Sequence, residues 1–438
     1  MKYFQSQKFI FLQNDIVLAY QVSQIFRYLI NILLSIVLVK SEVSLKDIGQ
    51  LEITLFVIAL ISQFWVSGIK DNVLTSWNQG DETNRKRLLH QGWISLTFLG
   101  ILSMVVFWCV FPLFFWDNIS GFSRTLLSLG SFYLVFNAVS SYPETVLLLQ
   151  NKPQRLWIFA VASFVLFFLL VFIFYYFYST IVFVILLLTI LAIAKCLYLV
   201  VILPPFVIES FKFILTFLKQ AVPFFLIAIV GYSMDMMDGF LVVHFFDVDQ
   251  FPIFRYGARE LPLSSMLMNA LSVAMIPALI DVSKTSLLKQ KVDRHMHVLF
   301  PLTILLIWIS PAIFVFIYNM DFKTSAYIFN TYLIILGSRL LLPQSVLIAN
   351  GKQKWVLWSG IIELIINLVL SLWWVRLWGL QGLVLATVVA YYVQKVGMLY
   401  WLYKEFKITI MDLISWKWWI FYQVLAFLSL YAVNIWNQ

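Results

Sequence analysis

The chain has 438 residues, of which 62% are hydrophobic and only 12% charged, with a formal net charge of +9. Soluble domains keep about a quarter of their residues charged, so this composition excludes a water-soluble globular protein and points to a surface facing lipid. The positive balance does not point to a nucleic-acid partner, because the basic residues are scattered through short segments between apolar runs.

In chain order, the polar start Met1–Asn14 carries no small-residue cleavage site, and the apolar run that follows is too long for a signal-peptide core, so it reads as a retained helix. Runs of about twenty apolar residues then predict membrane spans. They fall at Ile16–Val39, Asp47–Ile69, Leu88–Phe115, Arg124–Leu149, Leu156–Phe177 and Ile181–Leu203. Further spans are expected at Gln220–Phe246, Arg255–Ile280, Val298–Tyr318, Thr324–Ala349, Trp355–Leu377, Gly382–Trp401 and Trp418–Trp436. With the N-terminus in the cytosol, nineteen of the thirty lysines and arginines fall in cytosolic segments, Lys70 among them. Only Lys40, Lys46 and Lys323 fall outside, as positive-inside topology requires. Thirteen spans place the C-terminus outside.

An internal repeat organises these spans. Leu147-Leu148-Leu149-Gln150-Asn151-Lys152-Pro153-Gln154 recurs as Leu347-Ile348-Ala349-Asn350-Gly351-Lys352-Gln353-Lys354. Both copies occupy the cytosolic turn between the fourth and fifth spans of a six-span unit. The long loops 70–87 and 281–297 are likewise equivalent. The expected fold is therefore an all-α integral membrane protein of about thirteen (twelve to fourteen) transmembrane helices. Two pseudo-symmetric six-helix lobes, 1–203 and 204–401, surround a central cavity, and 402–438 adds one helix.

Eight basic residues fall within spans: Arg27, Arg124, Lys195, Arg255, Arg259, Arg339, Arg376 and Lys395. Arg124, Arg255 and Arg376 are near enough to a boundary to snorkel. Arg27 is near the bilayer centre, where a charge costs about 2.5–3.5 kcal/mol even on the lenient insertion scale. Arg259 and Arg339 are also deep, and Arg255 and Arg259, four residues apart, are expected on one helix face. Such residues either pair with buried acids or line a wet cavity. The available acids are Glu144, Asp235, Asp238, Glu260 and Glu363. Asp235 and Asp238 share one face of the span 220–246, which Pro223, Gly231 and Gly239 allow to bend. They read either as an ion- or proton-coupling site or as counter-ions to the arginines. Glu144 and Glu363, with Lys195 and Lys395, read as structural or cavity charges. An excess of deep cations suits an anionic, phosphate-bearing cargo and suits an organic cation poorly.

No nucleotide phosphate loop occurs, no H-E-x-x-H occurs, and the two cysteines, Cys109 and Cys196, both lie in apolar runs. No metal, cofactor or catalytic residue is expected. A membrane glycosyltransferase or polymerase ordinarily carries its catalytic groups on a sizeable external loop, and the external loops here are short.

Four places carry a family resemblance: Asp47-Ile48-Gly49-Gln50, Ala221-Val222-Pro223, Phe254-Arg255-Tyr256-Gly257-Ala258, and Leu347-Ile348-Ala349-Asn350-Gly351-Lys352 followed by Asn367 and Trp378-Gly379-Leu380-Gln381-Gly382-Leu383. The sequence resembles the polysaccharide transporters of the multidrug/oligosaccharidyl-lipid/polysaccharide exporter superfamily, whose members include O-antigen and capsule-repeat flippases. The resemblance implies two lobes around a cationic cavity in a bacterial inner membrane. It also implies outward flipping of a polyprenyl-diphosphate-linked oligosaccharide by alternating access. Arg27, Arg255 and Arg259 resemble cavity arginines of related flippases, and Arg339 joins them as a candidate grip on the diphosphate. Implied partners are the lipid-linked oligosaccharide, membrane lipid, and a polysaccharide polymerase with other envelope glycan-assembly proteins. The alternatives are a multidrug cation antiporter of the same superfamily, an integral glycosyltransferase or polymerase, and a non-transporting scaffold.

Overall fold

The computed structural model describes residues 16–41, 43–77, 81–115, 122–177, 180–205, 211–258, 262–276 and 278–436. Every regular element among them is helical. Two compact units, Met1–Asp235 and Met236–Gln438, emerge from the packing.

The first unit holds α1 (Ile16–Lys40), α2 (Leu45–Ser76), α3 (Glu82–Phe115), α4 (Arg124–Ser140), α5 (Tyr142–Leu149), α6 (Pro153–Phe177) and α7 (Ile181–Ile202). The helix α8 (Phe211–Phe245) begins here as well. Local chemistry sets the starts: the Ser44 hydroxyl accepts from the Asp47 amide at 3.1 Å to cap α2, and Ser123 caps α4 in the same way from Leu126. α4 packs on α3 and α7, and α1 lies along α6. The outward residues of α6, including Ile158, Val161, Phe168 and Phe172, remain exposed. A soluble protein would bury such a row, and here it matches lipid.

α4 and α5 together cover the expected span 124–149, broken at Ser141 because Pro143 opens α5 without an N–H to continue the previous helix. The Tyr142 side chain is fully buried and its hydroxyl donates to the Leu89 carbonyl at 3.0 Å, which fixes the break against α3.

The second unit holds α9 (Gln250–Gly257), α10 (Pro262–Met275), α11 (Thr285–Ile317), α12 (Lys323–Leu333), α13 (Leu336–Arg339) and α14 (Pro343–Ala349). It ends with α15 (Gln353–Phe406), α16 (Ile410–Leu413) and α17 (Trp416–Trp436). α15 has 54 residues, about 80 Å if straight and far more than the roughly 30 Å of a bilayer core. Gly379 divides it, with φ 58° and ψ −137°, a conformation that only glycine adopts without strain, so the two expected spans 355–377 and 382–401 are its two arms. α17 docks on α11, where Phe300 stacks on Tyr422 at 5.2 Å and Asp293 accepts from both the amide and the hydroxyl of Ser415. Among the described residues, nine helices are long and apolar enough to cross a membrane, or ten with the bent pair around Arg339 and Pro343.

Three expectations about helix limits need correction. The expected span 255–280 is not one helix: α9 ends at Gly257, Ala258 has ψ 41°, and α10 starts at Pro262. Pro262 lacks the N–H that a helix running on from α9 needs, and position 259 lies outside the described residues. The expected span 324–349 is broken into α12, α13 and α14. Lys70, expected in a cytosolic loop, lies inside α2, which continues to Ser76.

The eight-residue repeat has a structural counterpart. α5 and α14 both carry proline in their first two positions, and both close in the same two-bond cap. The Lys152 amide donates to the Leu147 carbonyl at 3.0 Å and the Asn151 amide to Leu148 at 3.1 Å. In the second copy Lys352 donates to Leu347 at 2.8 Å and Gly351 to Ile348 at 3.1 Å. The left-handed position is Asn151 (φ 51°) in one copy and Gly351 (φ 72°) in the other. Gly351→Val is expected to cost about 1–2 kcal/mol and Asn151→Gly to be neutral or slightly stabilising. Thermal unfolding of the two variants in one detergent checks this, and equal losses in both would refute the shared cap.

Candidate functional site

In the first unit, α1, α2, α4, α5 and α7 enclose a cavity of about 240 Å³. Its charged lining is Arg27, Lys70, Glu144 and Lys195. Glu144, 5% exposed, projects from the first turn of α5 and takes an ion pair from the Arg27 guanidinium. Gln24, one helical turn before Arg27, donates to the same carboxylate oxygen at 3.0 Å. The Arg27 side chain keeps 38% of its surface exposed while its guanidinium is held by Glu144. The Lys70 ammonium approaches the Ser141 hydroxyl at 3.4 Å, and the Lys195 ammonium lies 5.9 Å from the centre of the Phe159 ring. Both lysines feel the Arg27 and Glu144 charges directly. Three cations thus converge around one carboxylate. Tyr133 and Asn137, hydrogen-bonded to each other at 3.1 Å, add neutral polar atoms to the wall.

Lys70 is the cavity residue that sequence reasoning misses, because hydropathy ends the span at Ile69. A signal is present nonetheless. Ser62 and Gln63, eight and seven residues before Lys70, fall with it on one face of α2, so polar residues recur there at helical period within an apolar run.

In the second unit Lys395 lies within electrostatic range of both Arg339 and Glu363. The Arg339 guanidinium donates to the Tyr391 hydroxyl at 3.1 Å and lies 4.5 Å from that ring's centre. The Lys395 ammonium donates to the Gln344 side-chain carbonyl at 3.0 Å. These positions echo the first unit at the repeat offset of 200 residues: Pro143 and Pro343, Glu144 and Gln344, Lys195 and Lys395. The frame is kept while the carboxylate has become an amide.

Asp238, 5% exposed, accepts from the Tyr332 hydroxyl at 2.8 Å and the Thr387 hydroxyl at 2.5 Å. The Thr387 hydroxyl is also within reach of the Asn367 side-chain oxygen at 3.3 Å and the Leu383 carbonyl at 3.2 Å, and Ser371 donates to Asn367 at 3.0 Å. The result is a buried cluster of oxygens around one carboxylate. Arg255 lies 6.0 Å from the Phe251 ring centre in α9. Arg259, Glu260 and the Asp235 side chain fall outside the described residues. Among the described residues no group of three or more His, Cys, Asp or Glu side chains is placed to hold a metal.

Among the described residues, long apolar helices with outward hydrophobic rows and buried charges define a multi-pass membrane protein. Several solved transporter structures share this fold at low sequence identity. A structure described as the lipid II flippase MurJ in an inward closed conformation matches with a TM-score of 0.68 at 15% identity, covering 95% of this chain and 93% of that one. A MOP superfamily transporter from Pyrococcus furiosus, described as having a binding pocket of reversed polarity, matches with a TM-score of 0.59 at 12% identity, covering 88% and 93%. A mutant MATE transporter from Vibrio cholerae matches with a TM-score of 0.58 at 13% identity, covering 91% and 97%. No family model and no curated protein sequence matches the chain.

Proposed function

We propose that this protein is a flippase that carries a polyprenyl-diphosphate-linked oligosaccharide from the cytosolic to the outer leaflet of a bacterial inner membrane by alternating access. The observation that carries this reading is the intramembrane cavity in which Arg27, Lys70 and Lys195 outnumber Glu144. Guanidinium and ammonium groups in a poorly hydrated site bind phosphate oxygens through charge-assisted hydrogen bonds. The fold, shared with a structure described as a lipid II flippase, is consistent with such a cargo.

In this reading Arg27, Arg339, Arg255 and Arg259 grip the diphosphate and acidic sugars, while the polyprenyl tail stays in lipid. The lobes 1–203 and 204–401 alternate access, and the helix in 402–438 braces the second. Asp238, with Asp235 beside it, couples the cycle to a proton or an alkali cation, for which an oxygen-rich cluster is the appropriate ligand set. The N-terminus faces the cytosol, and the partners are the proteins that assemble and polymerise envelope glycans, such as O-antigen or capsule.

The rival is a multidrug cation antiporter, since MATE transporters share the fold. An organic cation needs net negative charge where this cavity is net positive, so charge favours the flippase. Purified protein in proteoliposomes with a fluorescent polyprenyl-diphosphate oligosaccharide and an impermeant quencher decides the matter. Protein-dependent transfer supports the flippase. Efflux of organic cations without lipid transfer supports the antiporter, and elongation of the glycan reveals an enzyme.

A further inference from the structure

A second and larger hollow lies in the first unit, at the end of α2, and shares no lining residue with the Arg27 cavity. Its volume is about 620 Å³, within the range of pockets that hold small molecules. Three helix faces build it. The last turn of α2 contributes Asn72 and Ser76, the first turns of α3 contribute Asn84, Arg87 and Gln91, and the start of α8 contributes Phe213, Phe217 and Gln220. The spacing within each set, three or four residues per step, is that of one helical face. The walls are tied together: the Asn72 side-chain amide donates to the Phe217 carbonyl at 3.3 Å, and Arg85 Nε donates to the Trp77 carbonyl at 3.1 Å.

The lining chemistry is distinctive. It carries two guanidinium groups, several carboxamides and hydroxyls and three phenyl rings, and none of its described lining residues is acidic. Small-molecule pockets are ordinarily lined mostly by apolar side chains with few polar groups. A lining that holds guanidinium groups and no carboxylate matches phosphate. Carboxamides, which both donate and accept, match a polyhydroxyl group, and aromatic faces supply an apolar floor. Two acids at the start of α3 are engaged with their own helix: Asp81 accepts from the Asn84 amide at 2.9 Å, and Glu82 pairs with Lys86 at 2.8 Å.

We infer that this hollow is a binding site for a phosphate ester carrying a polyhydroxyl group, separate from the Arg27 cavity. Two sources present that chemistry: a soluble sugar phosphate, and the headgroup of a phospholipid such as phosphatidylglycerol. The site selects by charge at Arg85 and Arg87 and by hydroxyl recognition at Asn84, Gln91 and Gln220.

The test uses the full-length protein in detergent and in nanodiscs, with glucose 1-phosphate, glucose, inorganic phosphate and phosphatidylglycerol as probes, read by thermal shift and native mass spectrometry. Saturable binding of glucose 1-phosphate, weaker binding of phosphate and none of glucose is expected if the source is soluble. Retention of phosphatidylglycerol over phosphatidylcholine is expected if the source is lipid. Arg87→Gln should weaken either probe by roughly tenfold or more, as the loss of a charge-assisted contact does. Gln220→Leu should remove the advantage of glucose 1-phosphate over phosphate while leaving phosphate binding unchanged. Arg87→Lys, which keeps the charge, distinguishes lost binding from lost folding by restoring part of the affinity. Lys354→Gln, an exposed cation of the second unit, should leave these affinities unchanged, and flipping is not among the readouts, so this site stands or falls independently of the flippase reading. Binding that survives Arg87→Gln, or inorganic phosphate binding as tightly as glucose 1-phosphate with no phosphatidylglycerol retained, overturns the proposal.

Discussion

Arg27→Ala is expected to slow protein-dependent flipping about ten- to a hundredfold, corresponding to the roughly 1.5–3 kcal/mol of a hydrogen bond to a charged group. Arg27→Lys should fall between wild type and alanine, because lysine keeps the charge but loses the planar fork that matches two phosphate oxygens. The alanine variant alone has a second effect, since Glu144 is left buried without its ion-pair partner. Breaking a buried pair costs about 3–5 kcal/mol, less where, as here, one side chain is partly solvated. Arg27→Ala combined with Glu144→Gln separates the effects. The double variant should recover thermal stability while flipping stays slow. Recovery of flipping together with stability would mean that Arg27 serves only to neutralise Glu144. Glu144→Gln alone is expected to bind the diphosphate more tightly and turn over more slowly, because the carboxylate no longer competes for the guanidinium when cargo leaves.

Asp238→Ala should abolish the response of transport to an imposed proton or sodium gradient while leaving passive exchange measurable. Its structural cost comes from the hydroxyls of Tyr332 and Thr387, which both donate to the carboxylate. Leaving such buried donors without an acceptor costs about 1–3 kcal/mol each. Asp238→Asn retains an acceptor oxygen and should fold nearly as well as wild type, so the loss of coupling in this variant reports on charge alone. Gradient-driven transport that persists in Asp238→Asn at the wild-type rate would remove Asp238 from the coupling role.

Much of the helical layout is legible in the sequence, because lipid demands long apolar runs and helices satisfy their own backbone polar groups. Ile16–Lys40, Pro153–Phe177 and Ile181–Ile202 lie within a few residues of their expected limits. Hydropathy fails where a helix outruns the hydrocarbon, as α2 does past Ile69 to include Lys70, and where a proline interrupts an apolar run, as at Pro262. Buried charge is equally legible in kind, since Arg27, Glu144, Lys195, Arg339, Glu363 and Lys395 stand out in apolar surroundings. Which of them meet is not. Arg27 and Glu144 are 117 positions apart, and their pairing depends on how α1 packs beside α5, which no local pattern encodes. The hollow at the end of α2 is hidden for the same reason: its residues read as ordinary loop and interface polarity until three helix faces converge.

The matched caps also bear on how this chain can change over generations. Pro143, Leu147, Lys152 and Lys195 have counterparts at an offset of 200 residues throughout: Pro343, Leu347, Lys352 and Lys395. Across that stretch the two segments differ by residue exchanges, as Glu144 and Gln344 or Asn151 and Gly351 show, without a net difference in length. Helix geometry gives a reason. One inserted residue within α7 turns everything beyond it by about 100°, which would carry Lys195 from the cavity wall toward lipid. Deletion libraries across 153–202 should therefore yield almost no folded protein, whereas point-substitution libraries over the same window remain rich in it.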